Sequence, residues 1–524
     1  MRFVRNSMYG ALAGGSLALG NLISAIIVAR LLGASGMGAV SYAVWLVLSI
    51  TPIVECGIPA AVGRYVPEMR GAGEAAAAEV LAARLMRALA LAAAVSATAL
   101  LLVILLIRAA APARGSAEQV ANGLFGSVFY AAPLLLAGYA AVQAVGAFGY
   151  AYLRGKQQFD LAAHLAWIAV ALQLIGVAIG SLLYGPTGAV VGYAAGQLVP
   201  AVAVLVLLSR SGAPKGAIPA RVRRYSAFAW AANVANTFVW ARIEMFFLAY
   251  FWGDAAVGLL AVTLSLANLA TQPPLLMTSG VLTLLSEQSG RRDHAGIQTA
   301  YAGGTTMLAA LVLPAAFCMA AITPVLLPML YGHEFAPAVP AAAILVCVAG
   351  IGVASSMATN LVYALERSDF VFYTSAVGGV LAISAGLLLV PRWGLMGAAA
   401  GRAAVQLAMV AAGVSFVWYR LGFHASIRSL TRILLASCIA AGVAWLAITC
   451  VPAPLSLALA LVGGGLTYLV LLVVLQAFSR DELDLMAHVV RTLPPSIGGV
   501  AARILSLFSI AAGGPAPAAW RRGD

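Results

Sequence analysis

The chain has 524 residues, 63% of them hydrophobic and only 9% charged, with a mean hydropathy of +0.99. Soluble domains carry about 25% charged residues, so a water-soluble enzyme is excluded and an all-α polytopic membrane protein is expected. The formal net charge of +13 calls for no nucleic-acid partner, because basic residues gathered on one side of a membrane set orientation and attract anionic lipid.

Read in chain order, the apolar runs predict about fourteen transmembrane helices, over 8–32, 39–62, 86–107, 122–147, 161–183, 188–208, 226–252, 257–284, 299–322, 338–363, 371–390, 394–418, 433–451 and 455–478. With the N-terminus inside, the inner segments hold 24 of the 30 Lys and Arg residues, among them Arg64, Arg70, Arg84, Arg87, Arg154, Lys156, Arg210, Lys215, Arg221, Arg223 and Arg224. The outer segments hold Arg108, Arg114 and Arg392, and Arg30, Arg242 and Arg402 fall within spans. Cytoplasmic loops are the basic ones, so a multi-pass protein of the cell inner membrane with both termini cytoplasmic is expected. Arg2 and Arg5 precede a retained first span rather than a cleaved signal. Loops are short, which leaves no room for a soluble catalytic domain, and no enzyme is expected.

Cys56, Cys318, Cys347, Cys438 and Cys450 stand singly in apolar segments and read as small core residues, with no metal or disulfide implied. His164, His294, His333, His424 and His488 fall at span ends or in loops, which argues against a buried histidine proton relay.

The sequence repeats itself. LLGASGMGAVS (Leu31 to Ser41) aligns with FWGDAAVGLLA (Phe251 to Ala261) at an offset of 220, pairing Gly33 with Gly253 and Gly38 with Gly258. YLRGKQQF (Tyr152 to Phe159) matches YALERSDF (Tyr363 to Phe370), and GPTGAVVG (Gly185 to Gly192) matches GLMGAAAG (Gly394 to Gly401). Each repeat holds six spans, an even number, so the copies enter from the same side and are parallel. Two lobes around a central cavity follow: an N-lobe over 1–210 and a C-lobe over 226–420, joined by a cytoplasmic linker at 211–225. Two extra spans follow at 421–478, and a cytoplasmic tail at 479–524 reads as an amphipathic helix followed by disorder.

Each lobe's second span is interrupted by proline, in TPIVECGIP (Thr51 to Pro59, with Glu55 inside the break) and TQPPLL (Thr271 to Leu276). Broken helices at matching positions point to a transport site, although ordinary kinks are as common an explanation.

Span 7 carries charge at depth. At about 1.5 Å per residue, Glu244 lies roughly 13 Å and Arg242 roughly 16 Å from the helix end at Gly253, near the centre of a core about 30 Å thick. Asn233, Thr237, Trp240 and Glu244, spaced 4, 3 and 4 apart, form one polar stripe, with Arg242 on the opposite side. A charge there costs on the order of 3 kcal/mol, so it lines a cavity or has a partner. The stripe is either a structural polar seam or the wall of a translocation path.

These residues carry a resemblance. LISAIIVARLLGASGMGAVSYA with GIPAAVGRYVPE, RIEMFFLAYFWGDAAVGLLAVT and the paired G-x-x-G-A-x-x-G turns are similar to the polysaccharide transporter (oligosaccharide, O-antigen type, flippase) family. That family belongs to the multidrug/oligosaccharidyl-lipid/polysaccharide (MOP) exporter superfamily, and spans 1 to 12 carry the likeness best. The resemblance implies flipping of undecaprenyl-diphosphate-linked oligosaccharide repeat units by alternating access, for surface polysaccharide or exopolysaccharide biosynthesis. It also implies a cationic central cavity, for which Arg30, Arg242 and Arg402 are the available intramembrane positions, with Asn233, Thr237 and Trp240 beside them. Glu244 and, with less support, Glu55 are the candidates for coupling to a proton or sodium gradient; no cofactor is expected. The implied partners are membrane lipid, the lipid-linked glycan and polysaccharide polymerase or export machinery. A cation-coupled multidrug exporter and a lipid II flippase of the same superfamily stay open as alternatives. The first would have an acidic residue in span 1, where this chain has only Arg30, and the second several arginines clustered in the first spans.

Overall fold

In lipid every backbone N–H and C=O must be satisfied within its own segment, and the chain accordingly folds as helices. The computed structural model describes residues 2–110, 132–209, 216–240, 243–276, 281–365, 367–452, 455–479 and 482–483. The outer loop expected beyond 110, residues 211–215 of the linker, Arg242 and the tail from 484 lie outside the described residues.

The first helices are α1 (Arg2–Glu55), α2 (Ile58–Gly71), α3 (Ala75–Ala110), α4 (Pro133–Gly155), α5 (Phe159–Ser209) and α6 (Ala220–Trp240). They are followed by α7 (Glu244–Leu276), α8 (Val281–Gly290), α9 (His294–Tyr331), α10 (Val339–Ala354) and α11 (Ser356–Ala364). The series ends with α12 (Ser368–Phe416), α13 (Ile427–Cys450) and α14 (Leu455–Val474). Among the described residues there are ten helical stretches long and apolar enough to cross a membrane, and three of these run to 42, 51 and 53 residues. A single crossing takes about 20 residues, so each of the three is long enough for two crossings, which makes thirteen among the described residues, close to the fourteen expected.

Glycine divides the long helices. Gly33 breaks α1 with φ 70 and ψ −172, and Gly253 breaks α7 with φ 76 and ψ −174. This region of the backbone map is essentially closed to residues with a Cβ. Gly185 in α5 (φ 59, ψ −141) and Gly394 in α12 (φ 53, ψ −127) form the second matched pair. The aligned glycines of the repeat thus hold nearly the same dihedral angles in both copies.

Two compact units result, Met1–Val262 with Gly379–Ala398, and Thr263–Gly378 with Ala399–Asp524. Where lipid is as apolar as the side chains, close backbone approach and packing take over from the hydrophobic effect. In the first unit α5 folds back on itself with Gly180 against Gly188 and Gly176 against Gly192, and a Cβ on Gly149 of α4 would meet the Pro200 carbonyl at 2.7 Å. The core of this unit gathers Val54, Val62, Leu85, Leu89, Phe148 and Val204 from α1 to α5. The tip of α12 also belongs to it: Trp252 Nε1 donates to the Val390 carbonyl at 2.9 Å.

In the second unit α9, α13 and α14 pack through Val312, Ile433, Ala436 and Leu472, and the Tyr468 hydroxyl donates to the Ala310 carbonyl at 2.7 Å. Glu482 returns to this unit and is buried. Its carboxylate accepts from the Thr306 hydroxyl (2.6 Å), the Ser429 hydroxyl (3.0 Å) and the Ser479 amide (2.8 Å).

Candidate functional site

The first of the two expected proline breaks is present as a change of helix. α1 stops at Glu55, Cys56 (φ 49) and Gly57 (φ 68) adopt left-handed backbone, and α2 begins at Ile58 with proline in its first turn. Proline fits there because its missing N–H has no intrahelical acceptor in any case. Gly57 is required for packing as well as conformation, since a Cβ would strike the Ser226 carbonyl and lie 2.8 Å from the Trp230 nitrogen on α6. Ahead of the break the Thr51 hydroxyl donates to the Val47 carbonyl at 2.7 Å, and at the repeat offset the Thr271 hydroxyl donates to the Ala267 carbonyl, also at 2.7 Å. The second expected break, in Thr271 to Leu276, is not present as a break: these residues continue as helix to the end of α7, and Gly253 is the one non-helical residue within it. Residues 277–280 lie outside the described residues.

The break ends α1 with Glu55 on the wall of a cavity of about 670 Å³. Its lining includes Leu17, Glu55, Pro59 and Gly63 from α1 and α2, Gln143, Tyr150 and Arg154 from α4, and Gln197 from α5. Gln143, Ala147, Tyr150 and Arg154 are spaced 4, 3 and 4 apart, one face of a helix. Glu55 is half-buried, and among the described residues no group bonds its carboxylate. The Arg154 Nε folds back to its own helix, donating to the Tyr150 carbonyl at 3.2 Å. The Gln143 Oε1 and the Tyr150 hydroxyl are buried without a hydrogen-bond partner. Leaving such a group unpaired costs about 1–3 kcal/mol, so two of them on residues that line one cavity mark it as a place for water or a polar ligand.

The predicted site residues are dispersed. Glu55 lines the cavity; Arg30, Asn233, Thr237 and Glu244 do not. Arg30 is exposed on the first half of α1, Asn233 is exposed and Thr237 half-buried on α6, and Arg402 is half-buried on α12 in the second unit. Trp240 is the last residue of α6. Glu244 is buried at 9% exposure and is the first residue of α7, whereas an unbroken span 7 was expected. The four-residue stripe therefore does not lie on one helix. A carboxylate in a first helical turn is favoured by the helix dipole, which gives Glu244 a physical reason to start α7.

Sequence reasoning missed Gln143, Tyr150, Arg154 and Gln197. The 4, 3, 4 spacing on α4 is the same spacing singled out on span 7, and a search for it in every span would have found three of them.

Residues 3–285 match the model of the family described as polysaccharide biosynthesis protein. No curated protein matches the chain. Among solved structures it is similar to an inward-facing multidrug resistance MATE family transporter of the MOP superfamily, with TM-score 0.63 and 16% identity over 78% of this chain and 94% of that one. It is also similar to the lipid II flippase MurJ in an inward closed conformation, with TM-score 0.66 and 14% identity over 88% of this chain and 97% of that one. A third is a MOP superfamily transporter from Pyrococcus furiosus, with TM-score 0.55 and 15% identity over 80% and 95%. At these identities the likeness is one of fold.

Proposed function

The chain belongs to the polysaccharide biosynthesis protein family, and from that membership and its transporter fold we propose that it flips undecaprenyl-diphosphate-linked oligosaccharide repeat units across the inner membrane. The polar cavity at the α1–α2 break carries this reading: within helices that are otherwise apolar, it sets a carboxylate, a guanidinium, two carboxamides and a phenol around one space. Sugars present hydroxyls that both donate and accept, so unpaired amide and phenol groups match them better than a cation exporter's acidic site would. The matched glycine kinks supply hinges at corresponding points of the two repeats, as alternating access requires.

In this reading both termini are cytoplasmic, Arg30, Arg242 and Arg402 meet the diphosphate during the cycle, and Glu55 and Glu244 couple it to a proton or sodium gradient. The lipid-linked glycan arrives from cytoplasmic assembly and leaves to polymerase or export machinery. Deleting the protein should make undecaprenyl-linked repeat units accumulate on the inner leaflet and remove surface polysaccharide. Unchanged surface glycan with raised sensitivity to cationic drugs would instead establish a multidrug exporter.

A further inference from the structure

A second cavity, of about 500 Å³, lies between α2 and α6 and is lined by Arg64, Tyr65, Arg221, Arg224, Tyr225 and Phe228. It shares α2 with the polar cavity: Gly63 lines the one and Arg64 the other. Tyr65 and Tyr225 meet edge to face with centroids 5.6 Å apart. Guanidinium groups stack on the rings, Arg64 at 4.6 Å from Tyr225, Arg221 at 5.1 Å from Tyr65 and Arg224 at 5.9 Å from Phe228. Arg221 is also paired with Glu68 at 2.6 Å, and the hydrogen bond it gives Glu68 holds its guanidinium still more firmly protonated. Among the described residues no carboxylate pairs with Arg64 or Arg224. Three guanidinium groups and one carboxylate leave the site with an excess of two positive charges.

This arrangement has a chemical meaning. Stacking fixes the plane of a guanidinium while leaving its edge N–H groups free, and those edges match phosphate oxygens in paired hydrogen bonds. Phe228, 67% exposed, adds apolar surface beside them. Anion and hydrocarbon are thus offered side by side, as a lipid diphosphate presents them. We propose that this arginine–aromatic cavity is the reception site for the diphosphate of a polyisoprenyl-diphosphate glycolipid, which Arg64 and Arg224 hold while Phe228 lies against the first isoprenoid units. The headgroup then passes across α2 to the polar cavity. This rests on the flippase reading and adds to it a loading step outside the polar cavity.

The test uses the full-length protein in phosphatidylcholine nanodiscs, titrated with farnesyl diphosphate, inorganic pyrophosphate and, separately, phosphatidylglycerol. Farnesyl diphosphate should bind more tightly than pyrophosphate, and each of Arg64→Gln and Arg224→Gln should weaken it at least about tenfold, the loss of a charge-assisted hydrogen bond. Arg64→Lys should recover only part, since a point charge lacks the fork, and Glu68→Gln should tighten binding by freeing Arg221. Unfolding midpoints of the variants identify any that fail to fold, and Phe228→Ser, which leaves the arginines intact, should lose the preference for farnesyl diphosphate over pyrophosphate. Wild-type affinity in both arginine variants would overturn the proposal, as would phosphatidylglycerol displacing the diphosphate at equal concentration. Glycolipid flipping in proteoliposomes separates the two readings: flipping that persists while Arg64→Gln and Arg224→Gln bind normally removes the reception site and leaves the flippase. Diphosphate binding that depends on both arginines, without flipping by the wild type, keeps the site and removes the flippase.

Discussion

Gly38 and Gly258, 220 positions apart, pack reciprocally. A Cβ on Gly38 would strike the Asp254 carbonyl and lie 2.9 Å from the Gly258 nitrogen, while one on Gly258 would strike the Ala34 carbonyl and lie 2.9 Å from the Gly38 nitrogen. Residues 34 and 254 are separated by the same 220. Each copy of the repeat therefore gives the other the same contact, and local two-fold symmetry is built from backbone against backbone.

Such a contact has no flexible side chain to move aside. Gly38→Ala and Gly258→Ala should each lower stability by about 1–3 kcal/mol, the usual cost of overpacking, read as an earlier unfolding midpoint in detergent. Gly138→Ala, with nothing within 4 Å of its added Cβ, should leave the midpoint in place. Equal midpoints for all three variants would mean that the two kinks separate freely.

The unpaired phenol of Tyr150 offers a test in which stability and function part company. A buried hydroxyl without a partner destabilises the fold, so Tyr150→Phe and Gln143→Leu should keep or raise the unfolding midpoint. If the cavity receives the glycan, the same variants should lower flipping severalfold. Normal transport in both would reduce the cavity to a water-filled defect.

The repeat, the kinks and the first break were legible in the sequence because glycine and proline act through backbone geometry, which a sequence displays directly. Gly33 and Gly253 align by eye and share dihedral angles to within a few degrees. The polar cavity was not legible, because one amide in an apolar span has the same appearance whether satisfied or free. Gln173 shows the difference: its Nε2 donates to Asn21 Oδ1 at 3.1 Å and Ser24 Oγ at 3.0 Å, ordinary helix-to-helix glue, whereas the Oε1 of Gln143 finds no partner. Only packing separates the two. The turn at Ile243 was hidden for another reason: no glycine or proline stands between Trp240 and Glu244, and a stretch without either reads as a continuous helix.

Glu482 ties the segment after α14 to α9 through Thr306 and to α13 through Ser429, while the Ser479 amide of its own segment is a third donor. Glu482→Ala removes this acceptor and should cost about 1–3 kcal/mol: the Thr306 and Ser429 hydroxyls keep the Ala302 carbonyl and the Ser426 hydroxyl as partners, but the link between the segments is lost. Faster proteolysis after residue 474 would report the release, and Glu482→Gln, which keeps an acceptor, should lie between. An unchanged digestion pattern in Glu482→Ala would show that the segment is held elsewhere.

Orientation is open to direct labelling. A cysteine placed at Gly216 should react with an impermeant thiol reagent only from the cytoplasmic side, and one at Ala113 only from outside, as the distribution of Lys and Arg requires. Reversal of either would overturn the proposed orientation.

Substitution tests whether Arg242 and Glu244 have the separate roles proposed for them. Arginine offers a planar fork for phosphate oxygens and keeps its proton in apolar surroundings, whereas lysine is a point charge that loses its proton more readily. If Arg242 meets the diphosphate, Arg242→Ala should abolish export at normal protein level and Arg242→Lys should restore little of it. Glu244, buried in the first turn of α7, keeps its hydrogen-bonding shape but loses its charge in Glu244→Gln. A coupling role predicts that this variant binds glycolipid normally yet no longer responds to an imposed proton or sodium gradient. A purely structural role predicts instead a lower unfolding midpoint with gradient dependence intact, because the helix dipole then loses its counter-charge. Full activity and normal stability in both Arg242→Ala and Glu244→Gln would exclude either role for the pair.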